Sequence, residues 1–477
     1  MSTIQFIGRQ KERGILEKAL ASAEAEMVAV IGRRRVGKTF LINNVYGPHI
    51  DFEITGIENT PLQRQLKNFA YQLSEAAGEP VEKPSNWFDA FVRLIAYLKT
   101  KQGKKKSIVF FDELPWLATP RSGFLDGLSF FWNSWAVKQN IVVVICGSAA
   151  SWMIQKVINH KGGLYNRVTK RVFLEPFGLA ETETYLKSRN VHLDRYQIIQ
   201  LYMAMGGIPH YLKEAEAGKS AAQNIDEICF SKNGLLNTEF SRLYPALFKN
   251  ADRHIAVIRA LARKRQGLTR KEIINTAHFS DGGGVKRILE ELLHSGFITA
   301  YYSFGKKKKN RIYRLTDEYS LFYLQFIEDK IYQGPEIWQK LSQTQNYKSW
   351  SGYAFESICL KHIPQIKKAL SIGGVYSEAA SFYRKGTSSQ RGVQIDLLID
   401  RNDHLVNIFE IKFYGASFIL TKAYAQSLRE KMAAFKELTQ TSKQLFLSLI
   451  TTFGLKPNEY SIGLIDHVLT LNDLFGD

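Results

Sequence analysis

The sequence predicts an α/β protein that opens with a parallel sheet covered on both faces, and three observations lead there. Residues 27–31, 108–111 and 141–145 are continuous apolar runs rather than alternating ones, as strands buried on both faces require. Helical stretches separate them, notably 87–101 and 124–138. The first run passes directly into Gly32-Arg33-Arg34-Arg35-Val36-Gly37-Lys38-Thr39 and then into a helical segment beginning at Phe40.

That octet fits G-x-x-x-x-G-K-[ST] in the strand–loop–helix context that a phosphate-binding P-loop needs. Glycines let the loop turn so that successive backbone N–H groups face phosphate oxygens. The helix N-terminus adds partial positive charge. Lys38 is expected to reach the β- and γ-phosphates of ATP, and Thr39 to hold Mg²⁺. The second run ends in Asp112-Glu113, a Walker B pattern. There Asp112 is expected to bind Mg²⁺ through water and Glu113 to orient or deprotonate the attacking water. Ser148, just after the third run, stands where a sensor residue belongs.

Length and composition bound the rest. A chain of 477 residues exceeds one core and predicts two to four domains. Its apolar content of 45% and charged content of 23% are those of a globular protein. No apolar run approaches the ~20 residues of a membrane span, and no signal-peptide pattern opens the chain. The cysteines, Cys146, Cys229 and Cys359, form no metal or disulfide spacing, which fits a cytoplasmic setting. A net charge of +19 makes phosphate backbone the first partner to consider.

Gly8-Arg9 and Glu12 before the P-loop are similar to the hhGRxxE segment of AAA+ and STAND ATPases, which lies against adenine; this puts Arg9 in the nucleotide site. Arg167, with Arg171 second, precedes the last core strand. In AAA+-like ATPases an arginine there can stabilise γ-phosphate charge in its own or a neighbouring subunit; bonding to nearby carbonyls is the plainer alternative. Gly206-Gly207-Ile208-Pro209-His210-Tyr211-Leu212 completes a specific resemblance. Together with GRRRVGKT and FFDELPWL, it resembles the archaeal-type ATPase family of the MNS branch of STAND NTPases. The resemblance implies a helical lid over 176–248 whose motif, Pro209 included, contacts the nucleotide.

Beyond 249, three short helical patterns precede two strands that flank Lys306-Lys307-Lys308-Lys309. This reads as a winged helix-turn-helix over 249–318. Lys286, Arg287 and the lysine tip favour phosphate contacts to double-stranded DNA over a purely structural role. Residues 319–345 read as an aromatic-rich helical linker that packs between domains. Over 346–477, Asp396 opens one strand of a hairpin and Glu410-x-Lys412 lies on the other. Period-2 geometry puts Glu410 and Lys412 on one face, and Asp396 and Glu356 can approach them. This resembles the PD-(D/E)xK nuclease core, a restriction-endonuclease-like α/β fold, with Ile395 in the place of the proline. The resemblance implies Mg²⁺ held by Asp396 and Glu410, with Lys412 serving the attacking water. The leading expectation is an ATP-controlled, homo-oligomeric DNA-binding ATPase with nuclease potential, defence against foreign DNA being one use for it. The alternative is a nucleotide-switched scaffold whose nuclease-like domain is inactive.

Overall fold

The computed structural model describes residues 6–476 except 102, 104, 160–163, 165, 265, 281–282, 303, 306–310, 333 and 387–391. It forms two compact units, Met1–Pro176 and Phe177–Asp477. Among the described residues no helix is long and apolar enough to cross a membrane.

The first unit is built on five strands: β1 (Glu26–Ile31), β2 (Ile50–Thr55), β3 (Ser107–Asp112), β4 (Ile141–Gly147) and β5 (Lys170–Phe173). They pair in the order β2-β3-β4-β1-β5, every pair parallel. Every residue of β1 and β4 is buried, which explains the unbroken apolar runs over 27–31 and 141–145. One face is filled by an aromatic cluster in which Phe52, Phe69, Trp87, Phe91, Phe111 and Phe124 pack together, Trp87 edge-on to Phe124 at 4.7 Å. The helices expected over 87–101 and 124–138 are Trp87–Thr100 and Phe124–Ser134, the latter followed by a separate turn, Ala136–Lys138. Strand β2 was not foreseen. It lies at the sheet edge and alternates polar with apolar residues, so it has no continuous apolar run to find.

This strand order matters for the site. Because β4 lies between β1 and β3, the residue following β4 comes between the P-loop and the Walker B end.

The second unit gathers into one compact body the four segments that sequence reading separates. Helices Leu179–Ser188 and Arg195–Met205 come first. Helices Ala251–Ala262, Arg270–Thr276 and Gly283–His294 follow, with a small antiparallel sheet of β6 (Leu268–Thr269), β7 (Ile298–Tyr302) and β8 (Arg311–Leu315) in the order β6-β8-β7. Thr269 caps the second of these helices reciprocally with Glu272. The bridge is helix Glu318–Phe326, whose Phe322 and Phe326 pack on Trp338 and Trp350. This aromatic packing is what merges the linker into the body.

The C-terminal part runs helix Gln345–Lys361, β9 (Ser377–Arg384), β10 (Val393–Arg401), β11 (Leu405–Lys412), β12 (Phe418–Ile419), helix Lys422–Thr439, β13 (Gln444–Thr451), β14 (Leu455–Lys456) and β15 (His467–Thr470). Its main sheet has the order β15-β13-β11-β10-β9, antiparallel through β9, β10 and β11 and parallel from β11 to β15. Strands β12 and β14 form a separate parallel pair.

Candidate functional site

In the first unit the P-loop leaves the carboxyl end of β1. A Cβ on Gly32 would lie 2.4 Å from the Leu174 carbonyl oxygen, so only glycine fits there. Arg35 and Gly37 take left-handed conformations that turn the loop. Lys38 is buried, and its Nζ donates to the carbonyl oxygens of Gly32 and Arg33 at 2.9 and 3.1 Å. The ammonium therefore sits inside the loop's own concavity. Thr39 Oγ1 donates to Asp112 Oδ2 at 2.7 Å, so the two expected Mg²⁺ groups are adjacent. This cradle fits a nucleotide phosphate with its metal. Lys38 would hold the phosphate oxygens, Thr39 and Asp112 would hold the ion, and the ion would supply charge neutralisation.

Glu113 adopts a left-handed backbone with φ of 45°. Its Oε2 accepts from the Ser148 N–H at 3.2 Å and the Ser148 hydroxyl at 2.8 Å. The Walker B glutamate and the sensor position are thus directly coupled. Arg9 is buried, and its Nη2 donates to the Val36 carbonyl at 3.5 Å, which sets it against the loop. Phe40 is 45% exposed and stacks on Phe6. Arg33 is buried, and Arg34 is partly so. Arg167 and Arg171 are exposed, flanking the start of edge strand β5. Glu53 on β2 was not foreseen; burial, then the nearby Asp112, raises its carboxyl above the usual range.

Pro209 opens a short helix, Pro209–Leu212, in the second unit. Packing within that unit accounts for the motif's glycines. Gly206 has a φ of 65°, and a Cβ on Gly207 would lie 1.9 Å from the Phe177 carbonyl oxygen. Tyr211 is buried and donates to Glu239 at 3.1 Å.

Lys286 and Arg287 are largely exposed, leaning on Glu290 and Glu291 four residues along their helix. Such pairs contribute only ~0.3–0.5 kcal/mol, so both cations remain available to phosphate. The lysine tip, Lys306 to Lys309, lies outside the described residues.

The C-terminal acids come together, but not as an open carboxylate pair. The β10–β11 register pairs Leu397 with Phe409, next to Asp396 and Glu410 in their strands. Lys412 Nζ lies 2.9 Å from Glu410 Oε1, and Lys431 Nζ lies 2.7 Å from Glu410 Oε2. The Tyr424 hydroxyl also donates to Glu410 Oε1. Burial would raise the Glu410 carboxyl, but Lys431 and Lys412 hold it below its usual value. Burial would lower Lys412, but Glu410 and Tyr424 hold it high. Glu356 is pushed up to about 8, by burial first and then by Asp396, against the opposing pull of Arg314 and Lys412. Asp396 Oδ1 accepts from Gln394 at 2.7 Å.

Here the expectation of an ion shared by Asp396 and Glu410 meets a physical difficulty. Both Glu410 oxygens already take protein donors, and Arg314 answers Glu356. Among the described residues no group of three or more metal-ligating side chains is arranged to hold an ion. As it stands, the cluster does not fit a divalent cation. Sequence reading missed Arg314, Tyr424 and Lys431. Only the seven-residue spacing of Tyr424 and Lys431, one face of helix Lys422–Thr439, offered a signal.

Comparison with known proteins bears on the first half. Over 419 residues the chain is 22% identical to an uncharacterized protein of Methanocaldococcus jannaschii, spanning 86% of this chain and 87% of that one. It is similar to the Walker-type ATPase of Pyrococcus abyssi, at 16% identity and a TM-score of 0.49, over 67% of this chain and 96% of that one. It is also similar to the ORC2 protein of Aeropyrum pernix, at 14% identity and a TM-score of 0.41, over 71% of this chain and 96% of that one. Residues 6–215 match the profile of the ATPase domain found predominantly in Archaea. With the P-loop cradle, the Thr39–Asp112 bond and the Ser148–Glu113 coupling in place, that segment has the make-up of a P-loop ATPase domain and matches the archaeal-type ATPase domain.

Proposed function

We propose that the chain is an ATP-hydrolysing switch that binds DNA through phosphate contacts and works as a homo-oligomer. The observation that carries the switch is the Ser148–Glu113 bond: the group that must orient water is held by the tip of a neighbouring strand. Glu113 can orient the attacking water only while that grip aims its carboxylate at the γ-phosphate side. Hydrolysis is thereby tied to the geometry around β4. We read the three helices and small sheet of the second unit as a winged helix-turn-helix. Exposed Lys286 and Arg287 and the net charge of +19 support phosphate contacts there.

For the C-terminal part, the order helix, three antiparallel strands, helix, parallel strand supports a PD-(D/E)xK-type domain. The gathering of Glu356, Asp396, Glu410 and Lys412 supports it further. The donors crowding Glu410 favour a shut or regulatory state of that domain over an open nuclease.

One set of measurements tests this reading. Glu113→Gln is expected to keep ATP affinity while hydrolysis falls by ~100-fold or more, and Lys38→Ala to lose both. DNA retention should fall steeply with salt, the log–log slope becoming shallower by ~0.9 for each of Lys306 to Lys309 that contacts phosphate and is replaced by alanine. Equal hydrolysis by Glu113→Gln and the parent removes the switch; a salt-independent affinity removes the DNA reading.

A further inference from the structure

The C-terminal acids are answered by cations from two different parts of the second unit. Lys412 and Lys431 belong to the C-terminal sheet and its helix, and they serve Glu410. Arg314 belongs to β8 of the small sheet. Its Nη2 lies 3.7 Å from Glu356 Oε2 and donates to the Ser357 hydroxyl at 3.2 Å. Its guanidinium sits 4.6 Å above the Tyr353 ring.

A second set of contacts runs beside it. Gln266, just before β6, donates to Gln394, which donates in turn to Asp396. Glu356 is therefore tied to β8, and Asp396, through Gln394, to the turn that leads into β6. The connection between β7 and β8 is also anchored, just past the end of β7. The Phe304 N–H donates to the Ser381 carbonyl on β9 at 2.9 Å, and the Phe304 ring packs 5.2 Å from Phe435.

These ties differ in quality. Glu410 is bonded on both oxygens at hydrogen-bonding distance. Arg314 is only 3% exposed, its ion pair is longer than a hydrogen bond, and its Nε is buried without a hydrogen-bond partner among the described residues. A buried guanidinium with an unanswered N–H is the point where such a network gives way first.

We propose that β8 is a gate on the acid cluster, with Arg314 the internal counter-ion that keeps Glu356 and Asp396 closed to a divalent cation until the hairpin lifts. The proposal rests on the PD-(D/E)xK-type reading and supplies its regulation. It accounts for four site residues that converge without forming an ion site: the cation they require is present as a side chain.

The test uses the full chain with Asp112→Asn, so that the P-loop adds no metal site, and Mn²⁺ as the probe by electron paramagnetic resonance. Adding Arg314→Met should tighten Mn²⁺ binding at least tenfold, and Glu356→Gln on top should reverse the gain. In the chain that keeps Arg314, Mn²⁺ should lower hydrogen-exchange protection of the amides of residues 311–315. Equal Mn²⁺ affinity with and without Arg314, or none in either chain, overturns the gate. If Arg314→Met does not fold, the exchange measurement decides, and unchanged protection of β8 overturns the gate. Plasmid cleavage is read separately: tight Mn²⁺ binding without cleavage leaves the gate standing and ends the nuclease reading.

Discussion

Ser148 gives two hydrogen bonds to one oxygen of Glu113, from its N–H and its hydroxyl. Alanine at 148 keeps the backbone donor and removes the shorter bond. Glu113 then retains its charge but loses its aim, so ATP hydrolysis should fall ~10–100-fold while nucleotide affinity changes less than ~2-fold. Single-turnover hydrolysis beside a binding titration checks this; a matched loss of affinity would mean that Ser148 shapes the phosphate cradle instead. A second residue sets a pH dependence. His362 is buried, its Nδ1 facing the Ile358 carbonyl at 2.7 Å and its Nε2 accepting from the Leu179 N–H at 3.4 Å. Burial pushes the imidazole down from 6.5 to about 4. Between those values the unfolded chain takes up a proton that the folded chain refuses. Stability from this group is therefore full above about 6.5 and is lost as pH falls towards about 4. His362→Gln, which still offers an acceptor to Leu179, should flatten the urea-unfolding free energy over this window by roughly 2–3 kcal/mol. Parallel pH curves for parent and variant would rule this out.

At the level of elements, the central strands of the first sheet were legible because burial on both faces forces an unbroken apolar run. Strand β2 was not, since an edge strand alternates. The β10–β11 hairpin was legible for the opposite reason: alternation showed that Glu410 and Lys412 share a face, and they form an ion pair. What periodicity cannot supply is the element that covers a face. Arg314 meets Glu356 across 42 residues of chain, and no pattern local to either predicts the meeting. The Gly206-Gly207 pair shows a third case, a motif visible in sequence whose close packing was not. Gly207 abuts the Phe177 backbone, so Gly207→Ala should destabilise the second unit by ~1–3 kcal/mol or more, as overpacking does. Gly352 lies inside helix Gln345–Lys361, and among the described residues nothing lies within 4 Å of a Cβ there. Gly352→Ala should instead stabilise the same unit by ~0.5–1 kcal/mol. Chemical unfolding of both variants checks the pair, and equal tolerance of the two alanines would show that the backbone at Gly207 yields.

For the whole molecule, the basic charge is spread over both units, and two exposed arginines lie where the first unit's sheet ends. Strand β5 is an edge strand; Arg167 and Arg171 are exposed beside it, and Phe173 on it is 50% exposed. The sequence raised Arg167 as a γ-phosphate partner in the same or a neighbouring subunit, and folding one chain decides only that its side chain reaches solvent. If Arg167 serves a second copy, loss of the P-loop lysine and loss of the arginine fall on different subunits and can complement. Lys38→Ala and Arg167→Ala should each be nearly inactive in ATP hydrolysis, since an arginine of this kind contributes ~10³–10⁵ in rate. Mixed together they should recover at least ~10-fold over either alone, because a mixed pair places an intact Lys38 opposite an intact Arg167. The parent's specific activity should also rise with protein concentration. Activity of the mixture equal to the sum of its parts, with a concentration-independent parent rate, would confine Arg167 to its own subunit and leave hydrolysis to Glu113, Ser148 and Lys38 of a single chain.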